Sequence, residues 1–228
     1  MSRRVQFGLK RIFDVAVSSA ALVLFSPLIG LVALAVKLDD GGPVLYVQSR
    51  VGKEGRTFHC YKFRTMVVGA EKKGLKLEVS QDDPRITSVG RFLRCWSLDE
   101  LPQLFNVLKG EMSIVGPRPT VMSHIVRYTP QQRRRLEIRP GMVGWAWVHG
   151  RNRLSWPKRI EFDLWYADHW SLWLDMCILL RALPMLLRRE GVYGDDGVVR
   201  GFDDESVEED APPMKALSER RDSREAAY

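Results

Sequence analysis

The chain has 228 residues, of which 45% are hydrophobic, 28% charged and 10% aromatic. A chain of this length can bury a full core, and its composition excludes a collagen-like, a wholly disordered or a disulfide-built protein. Its charge is uneven, because residues 195–228 contain 11 acidic and five basic residues, a net charge of −6, whereas residues 1–194 carry +13. So basic a body predicts an anionic partner: nucleic acid, anionic lipid or a phosphorylated substrate.

The N-terminal region contains one stretch that is long enough to enter a bilayer deeply, which excludes a polytopic membrane protein. Val15 to Val36 spans 22 residues without a formal charge, about 33 Å of helix. Ser26 and Pro27 break this stretch near its middle, and basic residues flank both of its ends. From the residues alone, a re-entrant hairpin in one leaflet and a proline-kinked span are both open.

Taken in chain order, the remaining patterns predict short elements. Strands are predicted at 44–48 and 57–63, helices at 89–94 and 98–108, a basic helix at 129–136, and a short strand pair around Trp145–Trp147. The tryptophan-rich run 165–189 predicts interfacial amphipathic helices, with an ordinary core helix as the alternative. Residues 195–228 have the composition of a solvated, disordered tail that is dispensable for activity. The three cysteines and four histidines have no metal-ligand spacing, so neither zinc nor disulfides are predicted.

The segment from Ser97 to Leu108 carries the densest candidate chemistry. Ser97-x-x-Glu100 fits a capping box at the start of an amphipathic helix, and this structural reading competes with a chemical one. Asp99 and Glu100 would lie at the positive end of that helix, where a carboxylate stays ionised. An ionised carboxylate can bind Mg²⁺ and can attack phosphorus.

Several short basic segments accompany this acidic pair. Lys62 lies in an alternating run, Arg118 stands between two prolines, and Arg151 follows a glycine-rich turn. Cationic loops around a carboxylate pair are what phosphoryl transfer with Mg²⁺ requires. The sequence has no standard nucleotide-binding loop and no nucleic-acid-binding signature, so no nucleic acid partner is predicted.

Six motifs in this order resemble the bacterial sugar transferase family, the monotopic polyprenyl-phosphate phosphoglycosyl transferases. The resemblance covers about residues 8–190. The motifs are Lys10-Arg-x-Phe-Asp14, Ser26-Pro27, Tyr61-Lys-Phe-Arg-Thr-Met66, Ser97-Leu-Asp-Glu-Leu-Pro-Gln103, Val115-Gly-Pro-Arg-Pro119 and Arg139-Pro-Gly-x-x-Gly-Trp145.

The resemblance implies transfer of a sugar 1-phosphate from a UDP-sugar to polyprenyl (undecaprenyl) phosphate, with release of UMP. It implies that Asp99 is the nucleophile and a Mg²⁺ ligand, with Glu100 beside it. It also implies that substrate phosphates are bound by Arg94, Lys62, Arg118 and Arg151, and that Asp163 lies near the active site. A basic membrane-surface scaffold without catalysis is the alternative, and it requires the acidic pair to be only a helix cap.

The fold implied by the resemblance is a small α/β, membrane-anchored catalytic domain. Residues 1–40 would form a re-entrant helix broken at Ser26-Pro27, and residues 41–194 the catalytic domain. The implied location is the cytoplasmic side of the bacterial inner membrane, in contact with its lipids. Trp147 and His149 depart from the Gln and Asn or Ser usual in the family, so no particular sugar is predicted.

Overall fold

The computed structural model describes residues 3–70, 78–199 and 201–202, and it is a mixed α/β protein in which helices predominate. The helices are α1 (Arg3–Leu24), α2 (Ser26–Asp40), α3 (Ser88–Trp96), α4 (Gln103–Lys109), α5 (Met122–Ile125), α6 (Trp156–His169) and α7 (Leu172–Arg188). The strands are β1 (Leu45–Val51), β2 (Thr57–Phe63), β3 (Val79–Ser80), β4 (Ser113–Val115), β5 (Gly141–Val143) and β6 (Val198–Val199).

Strands β1 and β2 form the antiparallel hairpin on which the site is built. Their register runs from Leu45 opposite Phe63 to Val51 opposite Thr57. The turn between them includes Gly55 at φ 76°, a left-handed conformation that glycine adopts without strain. The prediction of two strands here is confirmed, and the first extends three residues beyond its expected end.

Helices α3 and α4 pack against this hairpin through close backbone contacts and one buried amide. A Cβ atom at Gly90 would lie 2.1 Å from the Thr65 carbonyl oxygen, so only glycine lets α3 approach the end of β2 this closely. On α4, the fully buried Asn106 accepts from the Tyr61 amide at 3.1 Å and donates to the His59 carbonyl at 2.7 Å. These contacts fix both helices relative to β2.

The glycine-rich segments form a parallel strand pair that the sequence did not predict. Strand β4 pairs with β5, and Ser113 lies opposite Gly141. A Cβ at Gly141 would lie 2.0 Å from the Gly116 nitrogen, so the two loops touch backbone to backbone. The predicted strand pair around Trp145–Trp147 is wrong, because Trp147–His149 form a 3₁₀ turn. The predicted helix at 129–136 is likewise a 3₁₀ segment, Gln132–Glu137.

The two N-terminal helices meet at a bend of 63°, and Pro27 lies in the first turn of α2. Within the described residues no single helix has the length and apolarity to cross a membrane, whereas this bent pair passes the same test as one unit. Helix α1 buries Lys10, Asp14 and Ser18, which recur every four residues on one face. Its polar stripe therefore faces the protein.

The folded part of the chain continues past residue 194, where the acidic tail was expected to begin. Strand β6 pairs with β3, and Phe202 is buried with only 6% of its surface exposed. Val198, Val199 and Phe202 supply apolar surface that the acidic composition of the whole segment obscured. The rest of the predicted tail, 203–228, lies outside the described residues.

Candidate active site

A sharp change of direction between α3 and α4 brings the acidic pair to the hairpin. Helix α3 ends at Trp96, its C-cap Ser97 adopts a left-handed conformation with φ 56°, and a 3₁₀ turn, Leu98–Glu100, follows. The predicted capping box does not form, because an N-cap residue needs an extended backbone. The Ser97 hydroxyl instead accepts a hydrogen bond from Arg151 at 2.8 Å.

Glu100 is held by two cations. Its Oε1 accepts from Lys62 Nζ at 2.7 Å and from Arg118 Nη2 at 2.8 Å. Burial raises the pKa of this carboxyl, but the charges and hydrogen bonds of Arg118 and Lys62 outweigh burial and hold the pKa well below its usual range. Glu100 is therefore ionised, and its Oε1 is held by both cations.

Asp99 is held much more loosely than its neighbour. Its Oδ2 lies 3.9 Å from Lys62 Nζ, and its carboxylate makes no hydrogen bond within the part of the chain that the structure describes. Burial raises the pKa of Asp99, and the positive charge of Lys62 opposes that rise. The sequence predicted stabilisation of the ionised form at a helix N-terminus. The shift has the opposite sign, because Asp99 lies in the 3₁₀ turn before α4 and largely out of water.

The predicted phosphate-binding residues surround this pair. Lys62, Arg94, Arg118 and Arg151 line one cavity of about 480 Å³ together with Asp99 and Glu100. Arg94 reaches the cavity because α3 ends at Ser97, and its guanidinium donates to the Thr65 hydroxyl at 3.5 Å. The bend needed to bring Arg94 near Asp99 is thus present.

Asp163 does not line the cavity. It is 2% exposed on α6 and pairs with Arg135 at 2.5 Å. Arg135 in turn donates to the Arg118 backbone carbonyl at 3.0 Å. Asp163 therefore acts one layer behind the site, through the loop that carries Arg118.

The cavity wall also contains residues that were not among the predicted site residues, and Arg50, His124, Trp156 and Arg159 are the cationic and aromatic ones discussed next. Arg50 follows Tyr46 and Gln48 on the half-buried face of β1, so strand alternation was a usable signal for it. Burial lowers the pKa of Arg159 to about 10 and that of His124 to about 4, so at neutral pH the first is charged and the second neutral. No local pattern in the sequence marks the other three as neighbours of Asp99.

Neither of the two departures from the family pattern lines the cavity, and one of them contacts Arg151. The Arg151 guanidinium stands over the Trp147 ring at 5.0 Å, a cation–π distance. His149 stacks on Phe162 at 4.8 Å and lies outside the cavity lining. Trp147 therefore supports a site cation rather than facing the cavity itself.

The acidic residues of the site could hold Mg²⁺ only together with substrate phosphates and water. Among the described residues no cluster of three or more His, Cys, Asp or Glu side chains could hold a metal ion. Mg²⁺ at phosphoryl-transfer sites commonly takes one or two carboxylates and completes its shell with substrate phosphates and water. Asp99, with no hydrogen-bond partner in the described chain, has the oxygen ligands for this arrangement.

A family profile and several known proteins match most of this chain. The profile of a family described as bacterial sugar transferase matches residues 5–189. The chain is 44% identical over 211 residues to the undecaprenyl-phosphate galactose phosphotransferase of Salmonella typhimurium, covering 85% of this chain and 43% of that protein. It is also 44% identical over 183 residues to the UDP-glucose:undecaprenyl-phosphate glucose-1-phosphate transferase of Escherichia coli, covering 75% of this chain and 38% of that protein.

A third relative is nearer in length. The exopolysaccharide production protein ExoY of Rhizobium meliloti is 41% identical over 198 residues, covering 81% of this chain and 88% of that protein. The chain thus spans less than half the length of the Salmonella and Escherichia relatives and most of the Rhizobium one.

Proposed function

Because this chain belongs to the bacterial sugar transferase family, we propose that it transfers a sugar 1-phosphate from a UDP-sugar to polyprenyl phosphate. The names of two relatives, both undecaprenyl-phosphate sugar phosphotransferases, support this proposal. The observation that carries it is the carboxylate pair, in which Glu100 is fixed by two cations while Asp99 is left open to a cationic cavity.

The proposed reaction proceeds in two steps through Asp99. An oxygen of Asp99 attacks the phosphorus that bears the sugar, the bond from that phosphorus to the oxygen it shares with the UMP phosphorus breaks, and UMP leaves. An oxygen of the polyprenyl phosphate then attacks the same phosphorus and releases Asp99. Each step forms and breaks one P–O bond, and splitting the reaction keeps the two anionic substrates apart.

The cations make the attack feasible. Lys62 and Arg118 pair with Glu100 and line the cavity, and Arg94 and Arg151 line the same space. Oriented cations that are already in place stabilise the charge spread over a transferring phosphoryl group without reorganising. Mg²⁺ held by Asp99 and the donor diphosphate would supply further positive charge there.

We further propose that the protein is anchored in the cytoplasmic membrane by α1 and α2 as a re-entrant hairpin, with the cavity on the cytoplasmic side. Helix α1 turns its polar stripe inward and leaves apolar side chains outside; Ile12, for example, is 67% exposed. Helices α2 and α7 also expose large apolar residues, including Leu38 and Trp173 at 74% and 75%. Such surfaces suit lipid rather than water.

The anchoring is tested with single cysteines. One cysteine at Arg3 and another at Asp40, each in a background without the native cysteines, would be labelled from the cytoplasmic side of spheroplasts and inverted vesicles. Labelling of the first from the periplasm contradicts the hairpin and indicates a kinked span.

The transfer activity is tested with a panel of UDP-sugars and undecaprenyl phosphate in detergent. We expect UMP release and a lipid-linked sugar diphosphate with at least one donor, with ping-pong kinetics. Asp168→Asn is the matched control, because Asp168 is an exposed carboxylate on α6 paired with Arg134. The same loss of transfer in Asp168→Asn and Asp99→Asn would remove the special role of Asp99.

A further inference from the structure

A segment beyond the family match encloses part of the cavity. The family profile ends at residue 189, and the described residues 191–199 and 201–202 beyond it are here named the C-terminal strap. Val192, Val199 and Gly201 of this strap line the same cavity as Asp99 and Arg118.

The strap is fastened at its start to the loop that carries Arg151. The Asn152 side chain donates to the Val192 carbonyl at 2.7 Å, and the Asn152 amide donates to the Gly191 carbonyl at 3.3 Å. A Cβ at Gly191 would lie 2.9 Å from the Gly150 carbonyl oxygen, so the two backbones are in close contact.

Two further contacts hold the C-terminal end of the strap. Strand β6 pairs with β3, and the Gln81 amide donates to the Gly197 carbonyl at 2.8 Å. Phe202 then packs among three rings, with centroids 5.4 Å from His124, 5.5 Å from Tyr128 and 5.8 Å from Trp156. His124 and Trp156 line the cavity, so Phe202 supports its wall from behind.

The C-terminal end of the strap, at Phe202, lies at one end of hairpin strand β1, and helix α2 lies at the other end. Phe202 belongs to the same buried cluster as Val51, the last residue of β1. Helix α2 packs in a cluster with Phe63, which pairs with Leu45 at the first residue of β1. A strand of this length spans about 20 Å, so the cavity has two ends with different surroundings.

We propose that the C-terminal strap forms the wall of the donor end of the cavity and sets the affinity for the nucleoside diphosphate sugar, with Phe202 as its positioning residue. The inference rests on the proposed function. A lipid-linked acceptor enters from the α2 end, because its chain stays in the bilayer. The water-soluble donor is then bound at the opposite end, between the strap and the guanidinium groups of Arg50 and Arg159.

The lining of this end suits the nucleoside and sugar. The strap contributes Val192, Val199 and backbone at Gly201, and Trp156 adds a flat ring over which Arg159 stands at 5.1 Å. An apolar wall with a few oriented polar groups is typical of sites that bind nucleosides and other small molecules. The phosphates of the donor then point toward Lys62 and Asp99.

The test is steady-state kinetics of the full-length protein with the donor and acceptor varied separately. Phe202→Ala is expected to raise the KM for the UDP-sugar about tenfold, while the KM for undecaprenyl phosphate and the kcat at saturating donor stay within about threefold. Phe202→Leu refills most of the apolar volume and should restore most of the donor affinity. Phe92→Ala, an exposed phenylalanine on α3, is the matched control.

A second variant leaves Phe202 and its ring contacts unchanged. Val199→Phe adds volume to the cavity-facing wall and is expected to raise the donor KM and weaken UDP binding measured by calorimetry, with thermal unfolding unchanged. An unchanged donor KM in both folded variants, or an equal rise for donor and acceptor, overturns the inference while leaving the proposed function intact. Wild-type protein that transfers no sugar phosphate overturns the proposed function and this inference with it.

Discussion

Two ionic networks of this protein, one buried beneath α1 and one lining the cavity, each join a lysine to a carboxylate but in different ways. Beneath α1, Lys10 donates to Asp175 at 2.5 Å and to the Val115 carbonyl at 2.9 Å, and Asp175 also accepts from Tyr166 and Trp170. We name these four side chains the anchor network: Lys10, Asp175, Tyr166 and Trp170. In the site, Lys62, Arg118 and Glu100 are connected in the same manner, but Asp99 beside them has only a 3.9 Å ion pair.

The difference indicates what each network does. In the anchor network both carboxylate oxygens of Asp175 accept hydrogen bonds, so it joins α1 to α7 and offers nothing to a ligand. In the site network the Asp99 carboxylate is largely removed from water and has no close partner, and a desolvated charge in that state is costly. That cost is expected where the missing partner is a substrate.

Removal of the open carboxylate gives the largest effect on activity. Asp99→Asn keeps the shape of the side chain and removes its negative charge, so transfer should fall by at least about 10³-fold. Because burial disfavours the charged form of Asp99, the variant should unfold at the same temperature as wild type or higher. Steady-state UMP release and a thermal melt of the same samples measure both quantities.

Breaking the anchor network gives the largest effect on stability. Lys10→Met leaves Asp175 buried without its cation, which should cost about 3 kcal/mol and lower the unfolding midpoint by roughly 10 °C. The folded fraction should keep its donor KM. Arg134→Met, which breaks the exposed pair with Asp168, is the control and should cost less than about 1 kcal/mol. Equal costs for the two variants would contradict the contrast.

The pH dependence of transfer tests whether the open carboxylate of Asp99 is the group that must be ionised. Asp99 must be ionised to attack, and its pKa is raised, so kcat/KM should rise with pH through an acid limb above the usual range of Asp. Lys62 lowers this pKa, and Lys62→Met should therefore move the acid limb to higher pH. A limb that stays in place would show that another group controls it.

The smallest expected effect concerns the serine between α3 and the acidic pair. Ser97→Gly suits the left-handed backbone there but removes the hydrogen bond to Arg151. We expect unchanged or slightly higher thermal stability and a loss of activity of about fivefold. A loss of about 1 kcal/mol in stability would instead indicate that Ser97 acts as a helix cap.

Local patterns in the sequence predicted the elements whose structure depends on neighbouring residues. The β1–β2 hairpin, α3 and the break at Pro27 follow from alternation, periodicity and proline chemistry. Residue patterns also marked the acidic pair and three of the cations that line the cavity, and the resemblance added Arg94. The pairing of β4 with β5 joins two three-residue strands that lie far apart in sequence, so no local signal marked it. The capping motif at Ser97 was misleading because the end of α3 fixes the backbone of the same residue.

The C-terminal strap was missed for a different reason, because its structure was predicted from the composition of the whole segment. Its acidic composition predicted a dispensable tail from residue 195, yet Val198, Val199 and Phe202 pack on the domain. A chain that ends at Phe202 should therefore transfer sugar phosphate at the wild-type rate, whereas one that ends at Gly194 should have a raised donor KM. Equal kinetics of the two truncated chains would favour the sequence-based expectation.

In the proposed mechanism the open carboxylate of Asp99, and not the held carboxylate of Glu100, forms a bond to phosphorus. The most direct test is the intact mass of the protein after incubation with the UDP-sugar alone, in the absence of polyprenyl phosphate. Wild type and Asp168→Asn should gain the mass of one sugar phosphate as UMP is released, and Asp99→Asn should gain none. Accumulation of the adduct on Asp99→Asn, or no adduct on wild-type protein that is active with both substrates, would contradict the account.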